Sequence, residues 1–240
     1  MKVTKLIGCV VAMAAAALSS FTAQAAKISI AADSTYELTD SVNVSGNTLA
    51  FAGAATLKLT GSVTDGAFEL KAAVLFEGAG TVAVDISALS GCTKVLSRRH
   101  VRDNGLGGTL AFPAGVTEFR LGSTARGATN LSWPSFEAEA TFAEAGGKVV
   151  FENDATVIRL PSVWDTEDGA RLALFGSNVL GAGDYTLTGF DVRIASVDAF
   201  ASGATVTVPT DRTLSVRICS LKSTPADGNL STWQGIDKAN

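Results

Sequence analysis

His100 is the single histidine of the chain, so any triad or zinc centre that needs imidazole must use it. It stands in Arg98-Arg99-His100-Val101-Arg102-Asp103-Asn104-Gly105, a charged stretch closing on a turn signal, and reads as a solvated loop. Cys92 and Cys219 are the other soft ligands beyond the first 25 residues, and their spacing is not of a metal type. The densest acidic cluster, Asp165-Thr166-Glu167-Asp168-Gly169, could bind calcium weakly, but it lacks the spacing of an EF-hand loop and reads as a solvated turn. Glycoside hydrolysis needs two suitably spaced carboxylates, one with a raised pKa, and no such aspartate pair stands out. Arg159-Leu160-Pro161-Ser162 starts like the Arg-x-Pro-x-x-Arg signature of pectate lyases, but Trp164 occupies the place of the second arginine. Neither a phosphate-binding Gly-rich loop nor a Gly-x-Ser-x-Gly elbow occurs. The expectation is no catalytic residue, no metal and no cofactor.

A different pattern is more regular: a cation flanked by two apolar residues, at Lys58, Arg120, Arg159, Arg193 and Arg217. In a strand, alternation sends the flanking residues inward and the cation outward. Lys58, Arg120 and Arg159 sit at equivalent places of an internal repeat, so in-register stacking would gather them into one outer stripe. Such a stripe could meet acidic polysaccharide or anionic lipid headgroups, although outward cations also guard sheets against edge pairing. Trp133, Trp164 and Trp233 could act as sugar platforms, but lone aromatics in β-rich chains usually pack. The sequons at Asn43, Asn130 and Asn229 read as chance matches.

The elements that must position these residues are strands. Lys27–Ile30, Thr48–Phe51, Thr56–Leu59, Thr81–Val84, Thr109–Phe112, Val149–Phe151, Thr205–Val208 and Leu214–Ile218 all alternate apolar with polar. Turn residues such as Ser45-Gly46-Asn47, Thr64-Asp65-Gly66 and Gly181-Ala182-Gly183-Asp184 separate them. The best helical stretch, Ser135 to Ala145, is short and poorly spaced. Three units share a form: Gly46-Asn47-Thr48-Leu49-Ala50-Phe51 to Leu57-Lys58-Leu59, Gly107-Gly108-Thr109-Leu110-Ala111-Phe112 to Phe119-Arg120-Leu121, and Gly146-Gly147-Lys148-Val149-Val150-Phe151 to Ile158-Arg159-Leu160. Leu59, Leu121 and Leu160 lie 62 and 39 residues apart, near three and two multiples of a coil of about 20 residues. These features predict an all-β chain folded as a right-handed parallel β-helix, with small inward residues filling a narrow interior. A β-sandwich or jelly roll is the alternative.

The first residues predict export. Lys2 and Lys5 precede an uncharged apolar run, Leu6 to Leu18, and Ala23-Gln24-Ala25 is the small-x-small pattern of a signal peptidase site. Cleavage between Ala25 and Ala26 would leave residues 26–240 as a single solenoid domain, or a piece of a longer surface protein. The run is too short to span a bilayer, which takes about 20 residues, and Cys9 lies too early for a lipobox. The first 25 residues hold two of the 19 basic residues and none of the 23 acidic ones, so the remainder carries 17 − 23 = −6. That balance argues against nucleic-acid binding. Hydrophobic residues at 47% argue against disorder.

The Gly-x-(Thr/Lys)-(Leu/Val)-x-Phe matches at 46–51, 107–112 and 146–151, with Leu180-Gly181-Ala182-Gly183-Asp184-Tyr185-Thr186-Leu187, resemble the β-helical passenger regions of bacterial autotransporters and related surface proteins. The resemblance covers about two-thirds of residues 26–240. It implies a secreted or cell-surface structural or adhesive protein of bacterial type, without catalytic activity, meeting a surface polysaccharide or a cell-surface ligand. The alternatives are a carbohydrate-active β-helix enzyme and a carbohydrate-binding sandwich module. A solenoid also separates Cys92 from Cys219 by 127 positions, about six coils, which at about 4.8 Å per rung is too far for a disulfide.

Overall fold

The computed structural model describes residues 25–103, 107–122, 134–152, 154–167, 169–187, 191–194, 197–211, 215–221 and 233–235. The first coil holds β1 (Lys27–Ile30), β2 (Thr35–Leu38) and a short helix α1 (Asp40–Val44). The second holds β3 (Thr48–Phe51), β4 (Ala55–Leu59) and β5 (Ala67–Leu70). The third comprises β6 (Ala73–Phe76), β7 (Gly80–Asp85) and β8 (Lys94–Ser97), and the fourth β9 (Val101–Arg102), β10 (Gly108–Phe112) and β11 (Glu118–Leu121). In the fifth are β12 (Ser135–Phe136), β13 (Glu139–Phe142) and β14 (Lys148–Phe151). Thereafter come β15 (Asp154–Val157), β16 (Trp164–Thr166), β17 (Arg171–Leu174), β18 (Gly183–Thr186), β19 (Asp191–Ile194), β20 (Ala204–Thr207), β21 (Ser215–Leu221) and β22 (Trp233–Gly235).

Successive coils stack into three sheets, which makes the molecule a parallel β-solenoid. Sheet I has the order β1-β3-β6-β9-β12-β15-β17-β19-β21-β22, sheet II β13-β10-β7-β4-β2 and sheet III β16-β14-β11-β8-β5, with β18 and β20 as a separate pair. All rungs are parallel except the last, β22 on β21. A sandwich is excluded by that pattern. Along sheet I the coil length varies from 17 residues (Asp154 beside Arg171) to 35 (Val101 beside Phe136), so the uniform period of about 20 does not hold.

The reason is visible in the three sequence units. The first runs from β3 to β4, that is from sheet I to sheet II; the second runs from β10 to β11, sheet II to III; the third starts on β14 in sheet III and leads into β15 in sheet I. The recurring unit is one corner of the triangular cross-section, not one coil. The 62-residue step is therefore two coils and one face, and the 39-residue step one coil and one face.

Period-two alternation builds the core. β4 reads buried, half-buried, buried, half-buried, buried, with Leu57 and Leu59 inward and Lys58 outward. The interior is filled by bulk rather than by the small residues expected: Phe51, Phe68, Phe76, Phe119, Phe136 and Phe151 are fully buried beside six leucines. Phe112 stacks on Phe142 one rung away, with ring centroids 5.1 Å apart. The repeated Gly-Gly pairs serve this packing. Gly107 and Gly146 take positive φ at a corner, and the glycine after each lies under a ring. A Cβ on Gly108 would fall 2.3 Å from Phe76, and one on Gly147 2.4 Å from Phe142. Ser135 to Ala145 is not helical; it supplies β12 and β13, because its aromatic residues Phe136 and Phe142 are needed as inward rungs.

Candidate functional site

The three stripe cations lie on three different faces. Lys58 is on β4 of sheet II, Arg120 on β11 of sheet III, and Arg159 follows β15 of sheet I. This corrects the expected single stripe, and the corner repeat is its cause. The inward–outward rule itself holds at Lys58, Arg120 and Arg193, whose neighbours on both sides are buried. The backbone register does bring Arg193 and Arg217 onto adjacent rungs of sheet I.

The stripe cations are all engaged. Lys58 meets Glu37 one coil below at 3.6 Å. Arg159 reaches Asp103 at 3.3 Å and Glu139 at 2.6 Å. That ties up the arginine of the broken lyase signature. Arg120 contacts Glu118, Glu152 and Glu167. It belongs to a lattice across the outside of sheet III, in which Arg98 joins Glu69 and Glu152, Lys94 faces Glu118, and Lys148 holds Asp165 at 2.8 Å. Two carboxylates of the acidic cluster, Asp165 and Glu167, are thus partners of this lattice, while Asp168 lies outside the described residues. Burial works against the Asp165 carboxylate, but hydrogen bonds from Lys148 and the Thr166 N–H, with the Lys148 charge, hold its pKa below the usual value.

At the N-terminal end of this lattice lies a groove of about 650 Å³, walled by Asp40, Asp65 and Glu69 against Lys71, Lys94 and Arg120. Helix α1 forms one bank, and Asn43 fixes it there. Asn43 is buried; its Nδ2 donates to Glu69 O at 2.8 Å, and its Oδ1 accepts from the N–H groups of Lys71 and Ala72. One side chain so satisfies the end of β5, the edge strand of sheet III, which would otherwise be left unpaired. The Asn43 sequon is accordingly engaged in the fold; Asn130 and Asn229 lie outside the described residues. The groove offers charges of both signs, a surface suited to a polar or zwitterionic chain.

His100 is not in a solvated loop. It is half-buried at the start of β9, with Nδ1 2.9 Å from Ser135 Oγ on the neighbouring rung. Ser135 is 3% exposed, and its hydroxyl also lies 3.5 Å from Glu137 Oε1. Glu137 pairs with Arg102 at 3.5 Å. Burial raises the Glu137 pKa, and Asp103 adds to the rise, against the lowering charge of Arg102 and the Ser135 hydrogen bond. These residue types are those of a hydrolase triad, in which an acid orients the imidazole; here the Glu137 carboxylate lies beside the serine hydroxyl. Sequence reading missed this cluster because Ser135 and His100 are 35 residues apart and become neighbours through the longest coil.

Cys92 is a buried free thiol, with Sγ 3.4 Å from Lys94 O, and burial raises its pKa. Cys219 is on β21, six rungs of sheet I beyond β6 of the coil that contains Cys92. Trp164 is half-buried and continues the inner aromatic row between Phe151 and Tyr185, a packing role. Trp133 lies outside the described residues, as does Ala23; Trp233 is on β22. Ala25 and Ala26 are exposed, and Ala26 is already tied into the fold, its N–H donating to Asn47 Oδ1 at 2.8 Å and its carbonyl accepting from Thr48. Among the described residues no group of three or more His, Cys, Asp or Glu could hold a metal, and no helix is long and apolar enough to cross a membrane. No protein-family model, curated protein or solved structure matches the chain.

Proposed function

We propose that the chain is an exported structural or adhesive β-solenoid, secreted or held at a cell surface, that binds a polar surface polymer and performs no chemistry. The observation that carries this reading is the ion-pair lattice on sheet III. Charged side chains on successive coils are engaged with one another, which stiffens a long outer face rather than poising a group for reaction. The mixed-charge groove at the N-terminal end of that lattice is the proposed contact for a surface polysaccharide. The export half of the reading rests on the N-terminal sequence, in which Lys2 and Lys5 precede an apolar run and Ala23-Gln24-Ala25 precedes Ala26.

Fractionation of producing cells, with the N-terminus read by mass spectrometry, tests the first half. Protein beginning at Ala26 outside the cytoplasm is expected, and an intact Met1 confined to the cytoplasm would overturn it. A glycan array with Lys71→Glu and Lys94→Glu variants tests the second half, with binding lost in both. Turnover of any polysaccharide that vanishes in Ser135→Ala would instead favour the enzyme alternative.

A further inference from the structure

The two ends of the solenoid are built differently. At the C-terminal end β22 runs antiparallel to β21 as the last strand of sheet I. At the N-terminal end sheet III is finished by α1 and Asn43, yet β1 and β2 are edge strands of sheets I and II. Among the described residues nothing pairs with their outer sides. Two adjacent four-residue strands with free N–H and C=O groups form a template for another strand.

We infer that this end is a dimer interface, in which a second copy of the chain stacks head to head across a two-fold axis through the corner between sheets I and II. That axis lies perpendicular to the solenoid. It lays β1 of one copy antiparallel over β2 of the other, and repeats the contact with the roles exchanged. Both open edges are closed by the one operation, and α1 falls opposite α1 of the second copy.

Register follows from the side chains. Both strands have the burial pattern exposed, half-buried, exposed, buried, so Ile28 and Ile30, like Tyr36 and Leu38, face inward. The carbonyls of Ala26 and Ile30 accept from the coil above, as do those of Ser34 and Leu38. By strand alternation the main-chain groups of Lys27, Ser29, Thr35 and Glu37 therefore point to the free side. Placing Ser29 opposite Thr35 aligns these groups as mutually bonded pairs, puts Ile28 opposite Tyr36, and sets Lys27 opposite Glu37. The β-branched–aromatic pair completes the cover over the half-buried end of the core, and the outward pair is an ion pair. Lys27 and Glu37 are both more than half exposed, at 53% and 52% of their side chains, so each can exchange its own-chain partner, Glu77 or Lys58, for the other across the contact. A contact that uses the same patch on both copies is closed, so the product is a dimer and not a fibre.

The inference rests on the export reading, since residues 1–25 run directly into β1. The experiment is sedimentation equilibrium on the protein as recovered from cells, with its N-terminus determined on the same sample. A dimer is expected. Lys27→Glu should raise the dissociation constant at least about tenfold by setting two acids face to face. Adding Glu37→Lys to that variant should restore the parent value. Glu77→Ala, which removes the partner of Lys27 within its own chain, should leave the dimer intact. A monomer at all concentrations, a filament, or a charge swap that fails to rescue would overturn the interface, whichever N-terminus is found. An intact Met1 on a dimer that obeys the charge swap would sink only the export reading.

Discussion

From the second to the fifth coil every face of the solenoid has its strand, whereas among the described residues beyond β16 sheet I continues beside the separate pair β18 and β20, without further strands of sheets II and III. The contrast in burial is sharp. β4, β10 and β11 bury every second residue, while β18 and β20, the paired strands of the later coils, contain no buried residue at all. The aromatic row fades likewise, from fully buried Phe119 and Phe151 to half-buried Trp164 and Tyr185. A solenoid is stabilised by interfaces between neighbouring coils, so the two regions should differ in local stability although the fold is continuous. Hydrogen exchange should protect β10 and β11 far longer than β18 and β20.

Five substitutions sharpen or break that comparison. Phe119→Ala should cost about 3–5 kcal/mol in denaturant unfolding, because it opens a cavity among Phe112, Phe136 and the rungs above and below; Tyr185→Ala in the later coils should cost clearly less. An equal cost at the two positions would abolish the distinction. Asn43→Ala comes next, at about 2–3 kcal/mol, since a buried side chain with three hydrogen bonds to the edge of β5 is lost. It should also raise exchange at Lys71 and Ala72 while leaving β18 unchanged.

Glu137→Gln tests the seam between β9 and β12, where sheet I narrows to two-residue strands. Burial lifts the Glu137 pKa above its unfolded value, so the folded chain binds that proton more readily. Its stabilising contribution is complete in acid, below the unfolded pKa, and is lost as pH rises through the folded one. The melting temperature of the parent should thus fall relative to Glu137→Gln as pH is raised across that interval; a constant gap would refute the assignment. The smallest effect is expected at Lys58→Ala, under about 1 kcal/mol and reduced by salt, because its pairing with Glu37 is exposed.

Much of the solenoid was legible in its residues. Alternation placed strands at 27–30, 48–51, 109–112 and 149–151, and Gly-Gly-x-x-x-Phe marked corners where a ring covers a glycine. The same signal misled on the site. A corner unit and a coil unit look alike in one dimension, since each is a strand, a turn and a strand. Lys58, Arg120 and Arg159 therefore seemed to share a face that the structure divides among three sheets. His100 and Ser135 carried no local pattern, and Asn43 looked like a sequon.

Composition and alternation by themselves determined the class of fold and the inward and outward sense of Lys58 and Arg120, because strand periodicity is local. Tertiary structure alone decided the coil lengths of 17 to 35 residues, the ionic lattice of sheet III and the pairing of His100 with Ser135. These depend on which rungs become neighbours. Stacking sets that through the bulk of inward phenylalanines and the loops between them, and neither is encoded by spacing along the chain.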